Sequence, residues 1–285
     1  MSIKKRYRIL LIVLSACVLL AFAGVFYYHA EWWFPTWHAM RHQKELALTE
    51  TALDADTRLW TLDELTADER VMLSNNLLLV NATHPLPEDY VPELIEYNGA
   101  KMHPLMRDPY ISLRDDVQAK TGVRIYVASD YRTAEEQAEI IASSQDGIAA
   151  ALGCSEHEAG LALDVYAPYF GGVNFLRSRA GRMVNNVCGE YGYILRYPFG
   201  KEAVTGIAYE PWHLRYVGQP HARLMMESGL TMEEYLERLT PNTWYQSGNY
   251  LIARLASDAL TLPADFAHCD ISPDNMGYYV VTVTK

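Results

Sequence analysis

Four side chains in two short segments have the types that a catalytic metal site needs. The first segment supplies His157 and Asp164, and the second supplies Glu210 and His213. Two imidazoles and one carboxylate suit catalytic zinc, because three protein ligands leave the fourth tetrahedral position open for water or substrate. Zinc lowers the pKa of such a water to about 7, and a nearby carboxylate can accept its proton as it attacks a carbonyl. The pattern predicts a zinc-dependent hydrolase in which Glu210 carries the proton.

Any one of these residues, taken alone, is more often a surface residue or a hydrogen-bonded core residue than a metal ligand, since short motifs give false positives. The sequence has no H-E-x-x-H helix, which excludes the common metalloprotease arrangement. The ligands must therefore come from separate elements that the fold brings together.

The first of these elements is a strand over residues 161–166, where apolar and other side chains alternate. Its period of two places Asp164 on the face away from the apolar side chains. A second strand, indicated by the same alternation, begins at Val123, and a helix begins at Thr133, which has the capping-box spacing to Glu136.

Further patterns complete the fold prediction. A helix over 178–191 is followed by strands near 193–197 and 212–217, residues 77–80 are a short strand candidate, and residues 277–284 have the composition of a strand. Strands mixed irregularly with helices favour an α+β domain with a small, mainly antiparallel sheet flanked by helices.

The N-terminus predicts a membrane anchor. Four basic residues lie within the first eight, and an apolar run from Ile9 to Tyr28 follows, long enough to span a bilayer as a helix. The flanking charge places the N-terminus in the cytoplasm and the rest outside. The alternative is a cleaved signal peptide, for which residues 21–23 offer an A-x-A-like site.

The net charge and the cysteine content of the chain exclude some classes of partner and of fold. The whole chain carries −11 and residues 1–28 hold four basic and no acidic side chains, so the remainder carries −15. This acidic character argues against nucleic acid or anionic lipid as a partner. Cys154, Cys188 and Cys269 lie outside the apolar run and are too few for a disulfide scaffold.

These observations predict four parts of the chain. They are a basic tip and transmembrane anchor over 1–35, a helical stalk over 36–74, a zinc hydrolase domain over 75–240 and an accessory extension over 241–285.

The sequence resembles the VanY-type zinc D-alanyl-D-alanine carboxypeptidases, which belong to a wider group shared with lysostaphin-type peptidases and the hedgehog signalling domain. The resemblance is carried by the order and spacing of five segments, which are residues 79–87, 129–137, 155–165, 193–198 and 210–217. It covers roughly residues 75–220 and implies the same α+β fold.

The resemblance also implies roles for individual residues. Zinc would be bound by His157, Asp164 and His213, while Glu210 acts as general base and then general acid. Arg132 matches the arginine that stabilises the substrate carbonyl as it becomes an oxyanion. The remaining positions match residues expected to contact the peptide, and they are Gln137, Ser155, Ser129, Tyr131 and Trp212.

The function implied is removal of the terminal D-Ala from peptidoglycan pentapeptide stems by an anchored, extracytoplasmic enzyme. A contribution to glycopeptide resistance is a hypothesis. The alternatives are an L,D-carboxypeptidase, a D,D-dipeptidase, or a non-catalytic module that binds peptidoglycan. Glu210 and Arg132 argue against the last, because a binder needs neither a base nor an oxyanion partner.

Overall fold

A computed structural model describes residues 3–53, 56–143, 149–256 and 259–284 of the chain. Nine α-helices are described, and two 3-10 helices over Gly172–Arg177 and Cys188–Tyr191 flank the sixth. The α-helices are α1 (Ile3–Tyr28), α2 (Ala30–Arg41), α3 (Leu62–Thr66), α4 (Pro104–Thr121), α5 (Ala134–Ser143), α6 (Arg179–Val187), α7 (Glu202–Thr205), α8 (His221–Ser228) and α9 (Met232–Arg238).

The described strands are β1 (Thr49–Thr51), β2 (Thr57–Thr61), β3 (Val71–Leu73), β4 (Ile95–Tyr97), β5 (Ala100–Met102), β6 (Tyr126–Ser129), β7 (Ala162–Tyr166), β8 (Tyr193–Leu195), β9 (His213–Tyr216), β10 (Trp244–Ser247), β11 (Tyr250–Leu255), β12 (Ala259–Pro263), β13 (His268–Pro273) and β14 (Tyr279–Thr284). Four of them form an antiparallel sheet in the order β6-β7-β9-β8. A second sheet has the order β1-β10-β11-β14-β13-β3, and β2–β12 and β4–β5 are two-stranded. The predicted α+β class with a small antiparallel sheet is confirmed.

Helix α4 supports the four-stranded sheet. Its buried residues Met106, Tyr110, Leu113 and Val117 recur at helical spacing and belong to the same core as β7. Gly122 closes the helix in the left-handed conformation, with φ of 73°. The helix begins at Pro104, which occupies the first turn, where its missing N–H costs nothing.

Two sequence predictions are wrong. Residues 77–80 are buried but form no strand. Their backbone groups bond to other partners instead, for example the Leu77 N–H to Ser272 Oγ (2.9 Å) and the Leu78 carbonyl to Arg215 Nη2 (2.8 Å). An apolar run shows that a segment is buried, but it does not specify a ladder partner.

The helical stalk over 36–74 is the second wrong prediction. Among the described residues of this range, only the end of α2 and the five-residue α3 are helical, while β1, β2 and β3 pair with strands of residues 241–285. The strand partners lie about 200 residues away in sequence, so no local pattern could reveal them. The final strand, β14, lies in the interior of the six-stranded sheet between β11 and β13.

Helix α1 has the length and composition of a membrane span. The candidate span, Lys5–Tyr28, has 24 residues; its most apolar 18-residue stretch has a mean hydropathy of 2.9, and none of that stretch is buried. At 1.5 Å per residue it extends roughly 36 Å, more than the roughly 30 Å hydrocarbon core of a bilayer. The helix is therefore a candidate span.

Candidate metal centre

The register of the four-stranded sheet brings three chemistry-bearing residues into one row. Ser129 on β6 pairs with Asp164 on β7, and Asp164 pairs with His213 on β9. Directly opposite residues of an antiparallel pair project their side chains from the same face. His213 Nδ1 consequently lies 3.0 Å from Asp164 Oδ1.

His157 reaches the same point from the loop before β7. Its Nε2 lies 3.5 Å from Asp164 Oδ2, and its Nδ1 donates to the backbone carbonyl of Asp130 (2.7 Å). The rings of His157 and His213 meet edge to face with centroids 5.0 Å apart. A carbonyl acceptor at one ring nitrogen fixes the orientation of the other, as in metal-binding histidines.

The three donor atoms of His157, Asp164 and His213 lie within 4.8 Å of one another. Bonds near 2 Å in a tetrahedral site would separate ligand atoms by about 3.3 Å, close to the two separations measured from Asp164. The nitrogen and carboxylate donor set is one that zinc accepts. The predicted ligand residues therefore form a group that fits a zinc ion.

Glu210 lies beside this group without forming part of it. Its Oε2 is 3.8 Å from His213 Nδ1, and its backbone N–H donates to the carbonyl of Tyr197 (3.1 Å). Burial raises the pKa of the Glu210 carboxyl above its usual range; the charges of His213 and Arg132 oppose this shift, and that of Asp164 adds to it. A carboxyl with a raised pKa next to a metal site suits proton transfer.

The carboxylates give the site a strong negative character. Burial opposes ionisation of Asp164, but hydrogen bonds from His157 and His213 outweigh it and hold the pKa of Asp164 well below its usual range. Burial also opposes the charged form of His213, yet hydrogen bonds to Asp164 and Glu156 raise its pKa to about 10. The carboxylates of Asp164, Glu156 and Glu210 lie around His213 and favour positive charge at this point of the fold.

A second group of predicted residues surrounds Arg132. Its Nη1 donates to Gln137 Oε1 (2.6 Å), and its Nη2 donates to Ser129 Oγ (3.1 Å). Gln137 is buried, and its amide donates to the Ala150 carbonyl (2.6 Å). Helix α5 begins at this point with the predicted capping box between Thr133 and Glu136, which holds the strand-to-helix turn.

The other predicted peptide contacts are placed differently. Ser155 is buried in the loop that carries His157, and its N–H lies 3.4 Å from Glu158 Oε2. Tyr131 is half-buried, and its N–H donates to the Lys101 carbonyl. Trp212 packs against the core of the sheet. No contact brings Trp212 into the ligand group within the described part of the chain.

The sequence reasoning missed the role of Glu156. This carboxylate is fully buried, and its Oε1 accepts from Arg196 Nε (2.6 Å) and Arg215 Nη1 (2.8 Å). Its Oε2 lies 3.4 Å from His213 Nε2, on the side of the ring away from Asp164. Burial opposes ionisation of Glu156, but Arg215 and Arg196 outweigh it and keep its pKa well below the usual range. Glu156 therefore orients His213, a predicted zinc ligand, through its outer ring nitrogen, Nε2.

No simple signal in the sequence identified this cluster. Arg196 and Arg215 lie on strands or at their ends, where charged residues are usually exposed, and both are completely buried here. Arg196 is also paired with Glu233 on α9 through two bonds of 2.9 and 2.6 Å.

Comparison with known proteins gives the family context. The profile of VanY, D-alanyl-D-alanine carboxypeptidase, matches residues 99–219. A D-alanyl-D-alanine carboxypeptidase of Enterococcus faecium is 33% identical over 192 residues, which cover 62% of this chain and 62% of that one. The bifunctional D-Ala-D-Ala dipeptidase and carboxypeptidase VanXYC of Enterococcus gallinarum is 34% identical over 186 residues, which cover 58% of this chain and 95% of that one.

Two solved structures extend the likeness to the fold. The vancomycin resistance D,D-dipeptidase VanXYg, in complex with a D-Ala-D-Ala phosphinate analogue, superposes with a TM-score of 0.63 at 26% identity, over 80% of this chain and 98% of that one. A mutant of the D,D-pentapeptidase VanY from a VanB-type resistance cassette, in complex with Zn(II), gives 0.51 at 34% identity, over 56% and 98%.

Proposed function

This chain belongs to the VanY family of D-alanyl-D-alanine carboxypeptidases, and we propose that it is a zinc D,D-carboxypeptidase that removes the terminal D-Ala from peptidoglycan stem peptides. The observation that carries the proposal is the meeting of His157, Asp164 and His213 beside a carboxylate, Glu210, that is left outside the ligand group. We further propose that residues 75–240 form the catalytic unit.

The three ligand residues would hold the zinc ion, which when bound supplies a Lewis acid that polarises a carbonyl and acidifies water. Glu210 accepts the proton of the attacking water and delivers it to the departing amine of D-alanine. Its raised pKa makes Glu210 a stronger base for accepting this proton than an ordinary glutamate would be.

Arg132 stabilises the negative charge that develops on the substrate carbonyl oxygen. The bonds to Gln137 and Ser129 fix two guanidinium nitrogens in advance, so little reorganisation is needed when that charge appears. We propose that Gln137 and Ser129 contribute through this positioning, and that Ser155, Tyr131 and Trp212 are further candidates for contact with the peptide.

The location follows from the N-terminal helix. We propose that α1 anchors the chain in the bacterial membrane with the catalytic unit on the outer side, where the stem peptides are displayed. The four basic residues before the apolar run support this orientation. The likeness to resistance-cassette proteins supports the hypothesis that the enzyme lowers vancomycin susceptibility, and unchanged susceptibility after deletion of the gene would reject it.

The test is mass spectrometry of a muramyl pentapeptide incubated with the full chain. Loss of one alanine is expected, and it should disappear after chelation, return with zinc and be absent in Glu210→Gln. An intact pentapeptide with zinc still bound would contradict the enzyme and favour the binding module. Parallel incubations separate the alternatives, because a tetrapeptide reports L,D-cleavage and free D-Ala-D-Ala reports the dipeptidase activity named for the E. gallinarum relative.

A further inference from the structure

One stretch of the catalytic unit has a charge pattern opposite to that of the rest. The chain outside the apolar helix carries −15, yet residues 165–189 contain three arginines and no acidic side chain. The arginines are Arg177, Arg179 and Arg182. Arg182 is buried and Arg177 is half-buried, so Arg179 carries the exposed positive charge of this stretch, and such a charge on an acidic protein favours an anionic neighbour.

The fold brings this stretch to the outer end of α1. Arg182 Nη2 donates to the hydroxyl of Tyr27 (2.9 Å), and its guanidinium lies 4.7 Å from the centroid of the Tyr27 ring. The Arg177 guanidinium lies 5.5 Å from the ring of Tyr28. Tyr27 and Tyr28 are the last residues of the apolar helix, where a spanning helix leaves the hydrocarbon and tyrosines favour the interface.

Helix α2 fixes the catalytic unit in this position. Ala30 and Phe34 form a buried cluster with Leu176. Arg177 pairs with Glu31 at 2.6 Å, and His38 Nε2 donates to the Asn185 carbonyl at 2.8 Å. These contacts follow directly after the span, so the unit is not carried on a free tether. Whatever surface lies next to Arg177 and Arg182 is held at the level of the lipid headgroups.

The residues next to these contacts are exposed, and Trp32 stacks on His29 with ring centroids 4.2 Å apart. Arg179 is exposed, and its side chain forms no hydrogen bond or ion pair within the described part of the chain. Tyr169 is 99% exposed at the tip of a tight turn, and Val173 is 55% exposed at the start of the 3-10 helix that contacts α2. Trp32 is 65% exposed on α2 itself. The only acidic side chain among these contacts, Glu31, is neutralised by Arg177.

We propose that Trp32, Tyr169, Val173 and Arg179 form a juxtamembrane face that binds the anionic phospholipid headgroups of the bilayer spanned by α1. Arginine donates to phosphate oxygens through a planar fork, and aromatic rings favour the interfacial region. Docking holds the catalytic unit against the membrane surface. This inference rests on the proposed membrane anchor, and it goes beyond it by assigning a lipid contact to the catalytic unit.

A lipid-quenching experiment on the full chain tests the proposal. A nitrobenzoxadiazole label is attached to a cysteine introduced by Val173→Cys or, as the control, by Val91→Cys. Both variants also carry Cys17→Ser, because Cys17 is exposed while the other three native cysteines are buried. Val91 is also an exposed valine, 84% accessible, and lies outside the juxtamembrane face. The chains are reconstituted in vesicles of phosphatidylcholine with phosphatidylglycerol, or of phosphatidylcholine alone, containing a spin-labelled lipid quencher.

The label at position 173 should be quenched several times more strongly than the label at 91, and the difference should increase when phosphatidylglycerol is present. Arg179→Ala should lower the ratio of docked to undocked protein by about fivefold, the factor expected for one arginine at an anionic surface. Equal quenching at both positions, or no dependence on phosphatidylglycerol, overturns the lipid contact while leaving the anchor intact. A chain that fails to float with vesicles after an alkaline wash overturns both.

Discussion

Substitution of Glu156 by glutamine tests whether the buried carboxylate supports both the fold and the metal site. The side chain has no exposed surface and compensates Arg196 and Arg215, which are equally buried. Removing one member of a buried charge pair typically costs about 3–5 kcal/mol, because the partner is left uncompensated. We expect Glu156→Gln to lower the free energy of unfolding of the zinc-free protein by about that amount.

The same substitution should weaken zinc binding. Glu156 Oε2 faces Nε2 of His213, and a carboxylate in that position orients the imidazole and increases its basicity. Loss of such a partner typically costs about 10–100-fold in metal affinity. The expected result is a zinc affinity reduced within that range, measured by competition with a chromogenic chelator.

Glu233→Gln is the matched control. Glu233 also pairs with Arg196 and is partly buried, but its oxygens bond to Arg196 and Asn81 and not to His213. This variant should be less stable than the wild type while its zinc affinity stays within a few-fold of it. If both variants lose affinity equally, the loss reflects general loosening of the structure. If Glu156→Gln keeps wild-type affinity, the positioning argument is refuted.

Three further predictions follow from the geometry. The pKa of Glu210 is raised in the folded state, so its ionised form destabilises the zinc-free fold at neutral pH. Glu210→Gln should therefore unfold at a higher denaturant concentration than the wild type. This difference in stability should vanish as the pH falls below the pKa of glutamate in the unfolded chain, about 4.3. Arg132→Met should lower kcat/KM by about 10²–10³-fold with zinc affinity unchanged, and an unchanged rate would remove Arg132 from the mechanism. Gly192→Ala should destabilise the protein more than Gly200→Ala, because both positions have positive φ but only at Gly192 would the new Cβ lie 2.8 Å from the Tyr216 ring; equal thermal midpoints would contradict this.

Local patterns predicted the elements around the site well. Alternation located β7, and the capping box at Thr133 correctly located the start of α5. These features depend on neighbours a few residues apart, which is the range over which a sequence reveals its own structure. The family resemblance is confirmed by the comparisons, while the roles of the individual site residues stay predictions.

The pairing of strands that lie far apart in the sequence could not be predicted from local patterns. The charged, alanine- and leucine-containing composition of residues 36–74 predicts a helical stalk. In the structure this segment instead supplies strands whose partners lie at the other end of the chain. Short strands with few neighbours carry little intrinsic preference, so the partner sheet decides their conformation. The burial of arginines such as Arg215 could not be predicted from the sequence either, because a charged residue is ordinarily exposed.

The segment over 74–80 shows why the accessory extension and the metal site are physically connected. Ser272 and Asn275, which belong to the extension, bond to the backbone of this segment at Leu77 and Leu79. The segment in turn offers its carbonyls at positions 76 and 78 to Arg215, at 3.1 and 2.8 Å. Arg215 compensates Glu156, and Glu156 faces the outer nitrogen of His213. A continuous series of hydrogen bonds therefore leads from the C-terminal sheet to a predicted zinc ligand, and the extension stabilises the geometry on which the proposed chemistry depends.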